Sequence, residues 1–171
     1  GNYAEGATFV MNDGTVETTS SDYLAVSLAR PNTSFVMNGG SIIATQHNEE
    51  GDDGGVAIAG FKDTEIIING GTITAYANAI TGNGSYSGKN EGTNVRFTVN
   101  GGTITSMTGA GIYAPQVNGV TTITGGAITG RTGIEIRSGT LNISGGTITA
   151  VGNYEVKSES NGLTTVGAAI S

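Results

Sequence analysis

Phe97-Thr-Val-Asn-Gly-Gly-Thr-Ile-Thr105 is one of five nearly superimposable stretches in this chain. The others are Phe35-Val-Met-Asn-Gly-Gly-Ser-Ile-Ile43, Ile66-Ile-Ile-Asn-Gly-Gly-Thr-Ile-Thr74, Thr121-Thr-Ile-Thr-Gly-Gly-Ala-Ile-Thr129 and Leu141-Asn-Ile-Ser-Gly-Gly-Thr-Ile-Thr149. A degenerate copy, Phe9-Val-Met-Asn-Asp-Gly-Thr-Val-Glu17, precedes them. Marked at the first glycine, or at Asp13 in the degenerate copy, the repeats stand at 13, 39, 70, 101, 125 and 145. The steps between them are 26, 31, 31, 24 and 20 residues. Side chains alternate between two faces of a strand, so each copy reads as two strands meeting at a bend. Four residues before the mark stand Phe9, Phe35, Ile66, Phe97, Thr121 and Leu141. Two before it stand Met11, Met37, Ile68, Val99, Ile123 and Ile143, and three after it Val16, Ile42, Ile73, Ile104, Ile128 and Ile148. These are the inward columns. Their parity shifts across Asn-Gly-Gly, where glycine permits a sharp bend with positive φ.

A third apolar alternation follows most copies, at Val56/Ile58, Ile112/Ala114, Ile134/Ile136 and Tyr154/Val156, with Tyr23 to Val26 as its equivalent in the first. Leu163-Thr-Thr-Val-Gly-Ala-Ala-Ile170 reads as the start of a seventh copy. Three strands per repeat predict an all-β fold, a right-handed parallel β-helix: a three-sided solenoid of about six coils over a single domain, residues 1–171. A propeller blade needs four strands and about 40 residues, which the 20-residue step excludes. Variable steps disfavour a regular left-handed hexapeptide solenoid and place longer loops at one corner of the 31-residue coils. Asn12, Asn38, Asn69, Asn100, Thr124 and Ser144 are predicted to stack as a ladder that satisfies backbone groups at the bend.

Composition agrees with this reading. Of 171 residues, 30 are glycine and 25 threonine, while 12% are charged and 6% aromatic. Both residues are poor in helix interiors, and Thr favours strands. Glycine does not recur every third residue, which excludes collagen. No apolar run approaches the length of a membrane span, so no membrane insertion is expected. A net charge of −7, with seven scattered Lys and Arg, excludes a nucleic-acid footprint. With no cysteine there is neither a disulfide nor a thiolate metal site.

The Ile66–Thr74 and Phe97–Thr105 repeats resemble those of pectate-lyase-like β-helix domains in large bacterial surface proteins, commonly described as adhesive. The resemblance spans about residues 7 to 170. It implies an extracellular, bacterial cell-surface setting, with a glycan or host surface protein as partner. It transfers no catalytic residue, because the repeated residues are scaffold. Solenoids need capped ends; no clear amphipathic N-terminal cap helix is legible and the chain ends within an apparent repeat, so the expectation is a fragment of a larger surface protein.

Chemistry-bearing residues fall into four groups. Thr72/Thr74, Thr103/Thr105 and Thr147/Thr149 flank inward Ile residues, with Ala127/Thr129 a partial match, and form outward ranks of the kind that binds ice; Thr15/Glu17 and Ser41/Ile43 break them. Glu49, Glu50, Asp52 and Asp53 crowd into one loop beside His47, and Ca²⁺ accepts such oxygen ligands, although a solvated acidic loop explains the same residues. Calcium is therefore the one candidate cofactor. Glu135 and Glu155, read as outward residues of adjacent coils, would stand roughly 5 Å apart, the spacing of a retaining glycosidase pair. Arg137 and Lys157 beside them suggest instead a surface charge lattice. Finally, Tyr76, Tyr86 and Tyr113, with Arg131 and Arg137, are candidate ligand contacts, since exposed tyrosines stack on sugar rings and anchor interfaces. Tyr76 and Tyr86 are assigned to the third coil's long insert. The leading expectation is a non-enzymatic adhesin, binding or stalk module. A carbohydrate-active enzyme fragment (a polysaccharide lyase or glycosidase) is the alternative, and ice binding comes third.

Overall fold

The computed structural model describes residues 6–19, 24–47, 54–82, 93–159 and 162–171; for 158, 159 and 162–164 the backbone alone is described. The chain winds coil by coil. The first coil is β1 (Thr8–Met11), β2 (Thr15–Glu17) and β3 (Val26–Leu28), and the second β4 (Ser34–Met37), β5 (Ser41–Ala44) and β6 (Ile58–Gly60). The third is β7 (Glu65–Ile68), β8 (Thr72–Ala75) and β9 (Ile80–Gly82); the fourth β10 (Arg96–Val99), β11 (Thr103–Ser106) and β12 (Ala110–Ala114). The fifth is β13 (Val120–Ile123), β14 (Ala127–Gly130) and β15 (Thr132–Ile136). The sixth opens with β16 (Thr140–Ile143) and β17 (Thr147–Ala150), after which come β18 (Glu155–Glu159) and β19 (Gly162–Val166). Each side of the winding is one sheet: β1-β4-β7-β10-β13-β16, β2-β5-β8-β11-β14-β17 and β3-β6-β9-β12-β15. Pairing within all three is parallel, so the fold is a three-sided parallel β-helix.

The register follows the repeat alignment residue for residue. Phe9, Phe35, Ile66, Phe97, Thr121 and Leu141 form one continuous column. The inward columns meet in a core that is fully buried in the middle coils, with Phe35, Met37, Ile42, Ile66, Ile68, Ile73, Ile104 and Ile123 inaccessible to solvent. The end coils lack a neighbour on one side, so their equivalents Phe9 and Ile143 are exposed. The open first coil leaves an apolar hollow of about 540 Å³ between Phe9, Val26 and Leu28.

Two corners carry side-chain ladders or special backbone. At the first, Nδ2 of Asn38 donates to Asn12 Oδ1, that of Asn69 to Asn38, and that of Asn100 to Asn69, each at 2.8 Å. Thr124 Oγ1 donates to Asn100 Oδ1 at 2.6 Å. The expected ladder is present, but it works differently: these bonds run from side chain to side chain, while the backbone amides of the column donate to carbonyls of the preceding coil. At the corner between the third sheet and the first, Asn32, Asp63, Asn94 and Asn118 all have φ between 54° and 59°. Asn and Asp are the non-glycine residues that tolerate this left-handed conformation most readily.

Several expectations change. The third strand of the third coil, at Ile80–Gly82, escaped the sequence pattern because a three-residue strand offers too few alternations. Tyr23 lies outside the described residues, and the strand of that coil begins at Val26. The extra length of the two 31-residue coils sits at two different corners: residues 45–57 follow β5, whereas residues 83–95 follow β9. Tyr154/Val156 is not a third parallel strand, nor does Leu163 open a seventh coil. Glu155–Glu159 pairs antiparallel with Gly162–Val166 as a hairpin. The chain leaves the coil at Asn153 and returns at Gly167, so close together that a Cβ on Gly167 would overlap the Asn153 carbonyl. It then closes the third side of the sixth coil by bridging Ile170 to Ile134 in parallel. Antiparallel strands joined by a short turn satisfy each other's backbone locally, and an insert of this length can do so without a neighbouring coil.

One buried group is ill-satisfied. Gln116 is 2% exposed, and its Nε2 has no hydrogen-bond partner among the described residues. Its amide packs on the Cα of Gly82, in the in-register column Leu28, Gly60, Gly82 where glycines leave room. An orphaned amide costs its desolvation, so Gln116→Met is expected to raise stability by about 1 kcal/mol. The midpoint of urea unfolding measures this, and a lower midpoint would refute it.

Candidate functional site

The predicted ligand contacts among the described residues belong to several elements: Tyr76 follows β8, Tyr113 lies in β12, and Arg131 and Arg137 flank β15. Tyr76 directly follows the second strand of its coil, which ends at Ala75, rather than lying in the long insert after β9. The His47 ring stacks on it, with centroids 3.8 Å apart and planes 12° from parallel. One face of Tyr76 thus pins the base of the preceding coil's loop. Tyr86, Glu49, Glu50, Asp52 and Asp53 lie outside the described residues, and the calcium expectation with them. Among the described residues, no group of three or more His, Cys, Asp or Glu could hold a metal. Tyr113 registers with Thr81 on one side and Glu135 on the other, on the outer face of the third sheet. Arg137 approaches Glu135 there at 4.0 Å, and Glu135 is only 9% exposed. Arg131 instead holds the hairpin, its guanidinium 3.2 Å from Glu155.

The Glu135/Glu155 pair is not assembled. Glu155 belongs to the hairpin, bonded to Arg131 and 3.9 Å from Lys157. The residue beside Glu135 in the third sheet is Ser171, whose backbone exchanges hydrogen bonds with Ile134 and Ile136. The insertion of Asn153 to Gly167 displaced the carboxylate, and a count of alternating residues cannot register such an excursion.

The Thr ranks are where they were expected. Thr74, Thr105, Thr129 and Thr149 are consecutive in one outward column of the second sheet, below Ile43 and Glu17. In the other, Thr72 and Thr103 adjoin, but Ala127 separates them from Thr147.

A polar concavity lies elsewhere. A groove of about 620 Å³ runs over the corner carrying the left-handed Asx residues. Three successive coils build it from equivalent positions: Asn32-Thr33-Ser34, Asp63-Thr64-Glu65, and Asn94 with Arg96. Thr33 and Thr64 form its floor; they are buried, and their hydroxyls donate to the carbonyls of Arg30 and Phe61 at 2.7 Å. Asn94 Nδ2 donates to Asp63 Oδ1 at 2.9 Å, and the Asn32 amide donates to the Asp63 carbonyl at 2.8 Å. Ser34, Glu65 and Arg96 form one in-register column on the first sheet. Among the described residues, neither Glu65 nor Arg96 makes an ion pair or side-chain hydrogen bond, even with the other.

Sequence reasoning missed this groove, although a signal was present. Asn32, Asp63, Asn94 and Asn118 are spaced 31, 31 and 24 residues apart, the same steps as the glycine marks at 39, 70, 101 and 125. A polar residue recurring in phase with the coils marks a corner as surely as the glycines do.

No protein-family model, curated protein or solved structure matches this chain.

Proposed function

We propose that this chain is a non-enzymatic binding or stalk module of a bacterial surface protein, extracellular, with a glycan or host protein as ligand. On this reading the solenoid is a right-handed, pectate-lyase-like β-helix and belongs to a larger protein. The single observation that carries the reading is the corner groove. Its carboxylate, guanidinium, amide and hydroxyl groups converge from three coils onto one concavity, and the charged side chains of Glu65 and Arg96 have no partner among the described residues. Convergent polar groups on a rigid frame are what a hydroxyl-rich ligand requires. The dispersal of Glu135 and Glu155 removes the one carboxylate pair on which the glycosidase alternative stood.

The test is retention on a panel of immobilised plant, fungal and host glycans and matrix proteins, with the eluate assayed for new reducing or unsaturated ends. Retention on at least one member without chain cleavage is expected. Cleavage would replace this reading with the enzymatic one. A second reading, ice binding, draws on the four consecutive threonines of one column, and thermal hysteresis would decide in its favour.

A further inference from the structure

We propose that the corner groove takes an extended, uncharged glycan lying along the solenoid axis, with about one sugar ring to each coil. The inference rests on the glycan reading above and commits it to a site, an orientation and a ligand class. Orientation comes from the repeat. Ser34, Glu65 and Arg96 are register partners on adjacent parallel strands, so their side chains emerge about 4.8 Å apart along the axis. A ligand crossing the strands meets all three, whereas one running along a strand meets a single tier.

The ligand class comes from the donor and acceptor inventory. A carboxylate only accepts and a guanidinium only donates, while the Ser34 hydroxyl, which donates to Thr8 Oγ1 at 2.9 Å, keeps lone pairs with which to accept. A sugar hydroxyl both donates and accepts, and neighbouring hydroxyls can satisfy the three tiers together. Charge selects among glycans. Asp63 and Glu65 outnumber Arg96 at the groove, and the chain carries −7 overall, so a polyuronate would be repelled. Lys62, 4.0 Å from Asp63, offsets part of that local excess. Beneath the groove the core residues Phe35, Ile66 and Phe97 are at most 1% exposed, so the three tiers are held in place before a ligand arrives and little ordering cost accompanies binding.

The experiment is calorimetric titration of the full chain with linear oligosaccharides of glucose, xylose and mannose, one to six units long, and with oligogalacturonates. For at least one neutral series, affinity is expected to rise with each unit up to three and then level off. Glu65→Gln and Arg96→Gln should each weaken the trisaccharide about tenfold or more, because each removes a charge-assisted bond. Thr98→Ala, on the neighbouring outward column, should leave binding unchanged, and melting curves of all three variants should overlay the parent. Neutral-glycan binding indifferent to Glu65 and Arg96, or without length dependence, overturns the groove assignment while leaving the binding module intact. Tighter binding of the galacturonates overturns the ligand class. Failure to bind any glycan in the titration and in the wider panel overturns this inference, and failure to bind a protein as well takes the proposed function with it.

Discussion

Phe97→Ala should cost about 3–5 kcal/mol of unfolding free energy, the range for deleting a fully enclosed aromatic ring. Phe97 is 1% exposed and sits between Ile66 and Thr121 in the central inward column. Its closed surroundings have little scope to collapse into the cavity. Phe9 occupies the same column at the open end and is 41% exposed, touching Phe35 with centroids 5.0 Å apart. Phe9→Ala should therefore cost only about 1 kcal/mol. In a solenoid each coil contacts only its neighbours, so a weakened fourth coil also uncouples the two halves. Urea unfolding of Phe97→Ala is expected to show a lower midpoint together with a shallower slope, as the halves cease to unfold as one unit. Equal losses for the two alanines, with unchanged slopes, would show that stability does not depend on position along the rod.

The second large effect concerns the backbone. Gly102 has φ +83°, and a Cβ built on it would lie 2.8 Å from the Gly71 carbonyl oxygen of the coil below. Gly14 occupies the equivalent bend of the first coil at φ +94°, with nothing within 4 Å of such a Cβ. Alanine at 14 meets only the left-handed penalty, about 1–2 kcal/mol. Alanine at 102 meets that penalty and must also push two coils apart at a bend tied by the Asn69–Asn100 bond, adding about 1–3 kcal/mol of overpacking. Gly102→Ala should accordingly melt roughly 5–15 °C below the parent, and Gly14→Ala only a few degrees below. Calorimetric melting of the pair separates the two contributions. A Gly14→Ala loss as large as that at 102 would mean that φ alone governs these bends.

How much was legible from the residues depends on how often each signal recurs. Six aligned copies located the inward columns, the Asn ladder and the Thr ranks, because every copy repeats the same test of which way a side chain must point. The Asx corner recurs four times in phase and was equally legible, yet Asn and Asp also mark ordinary loops, and only the repeated step separates the two cases. The hairpin occurs once. Its alternation around Tyr154 and Val156 looks like that of a third strand, because strand periodicity is the same whether the partner is a coil neighbour or an adjacent strand. The separation of Glu135 from Glu155 follows directly from that ambiguity. Tyr76 was misplaced for a related reason: a long step reveals that residues are extra but not at which corner they leave.

By itself the sequence determined a parallel three-stranded winding, the residues at its core and the glycines at its bends. A continuous core can be built from these columns in one register alone, since a one-residue slip would turn every inward side chain outward. The tertiary structure decided which outward residues share a surface. It put Ser34, Glu65 and Arg96 into one groove, set Arg131 against the hairpin, and parted the two glutamates. Outward positions carry no burial requirement, so neither spacing nor composition constrains their companions; loop excursions and the stacking of distant coils do. The candidate site of this protein lies in that second category, whereas its repeated coils lie in the first and the hairpin, which occurs once, in the second.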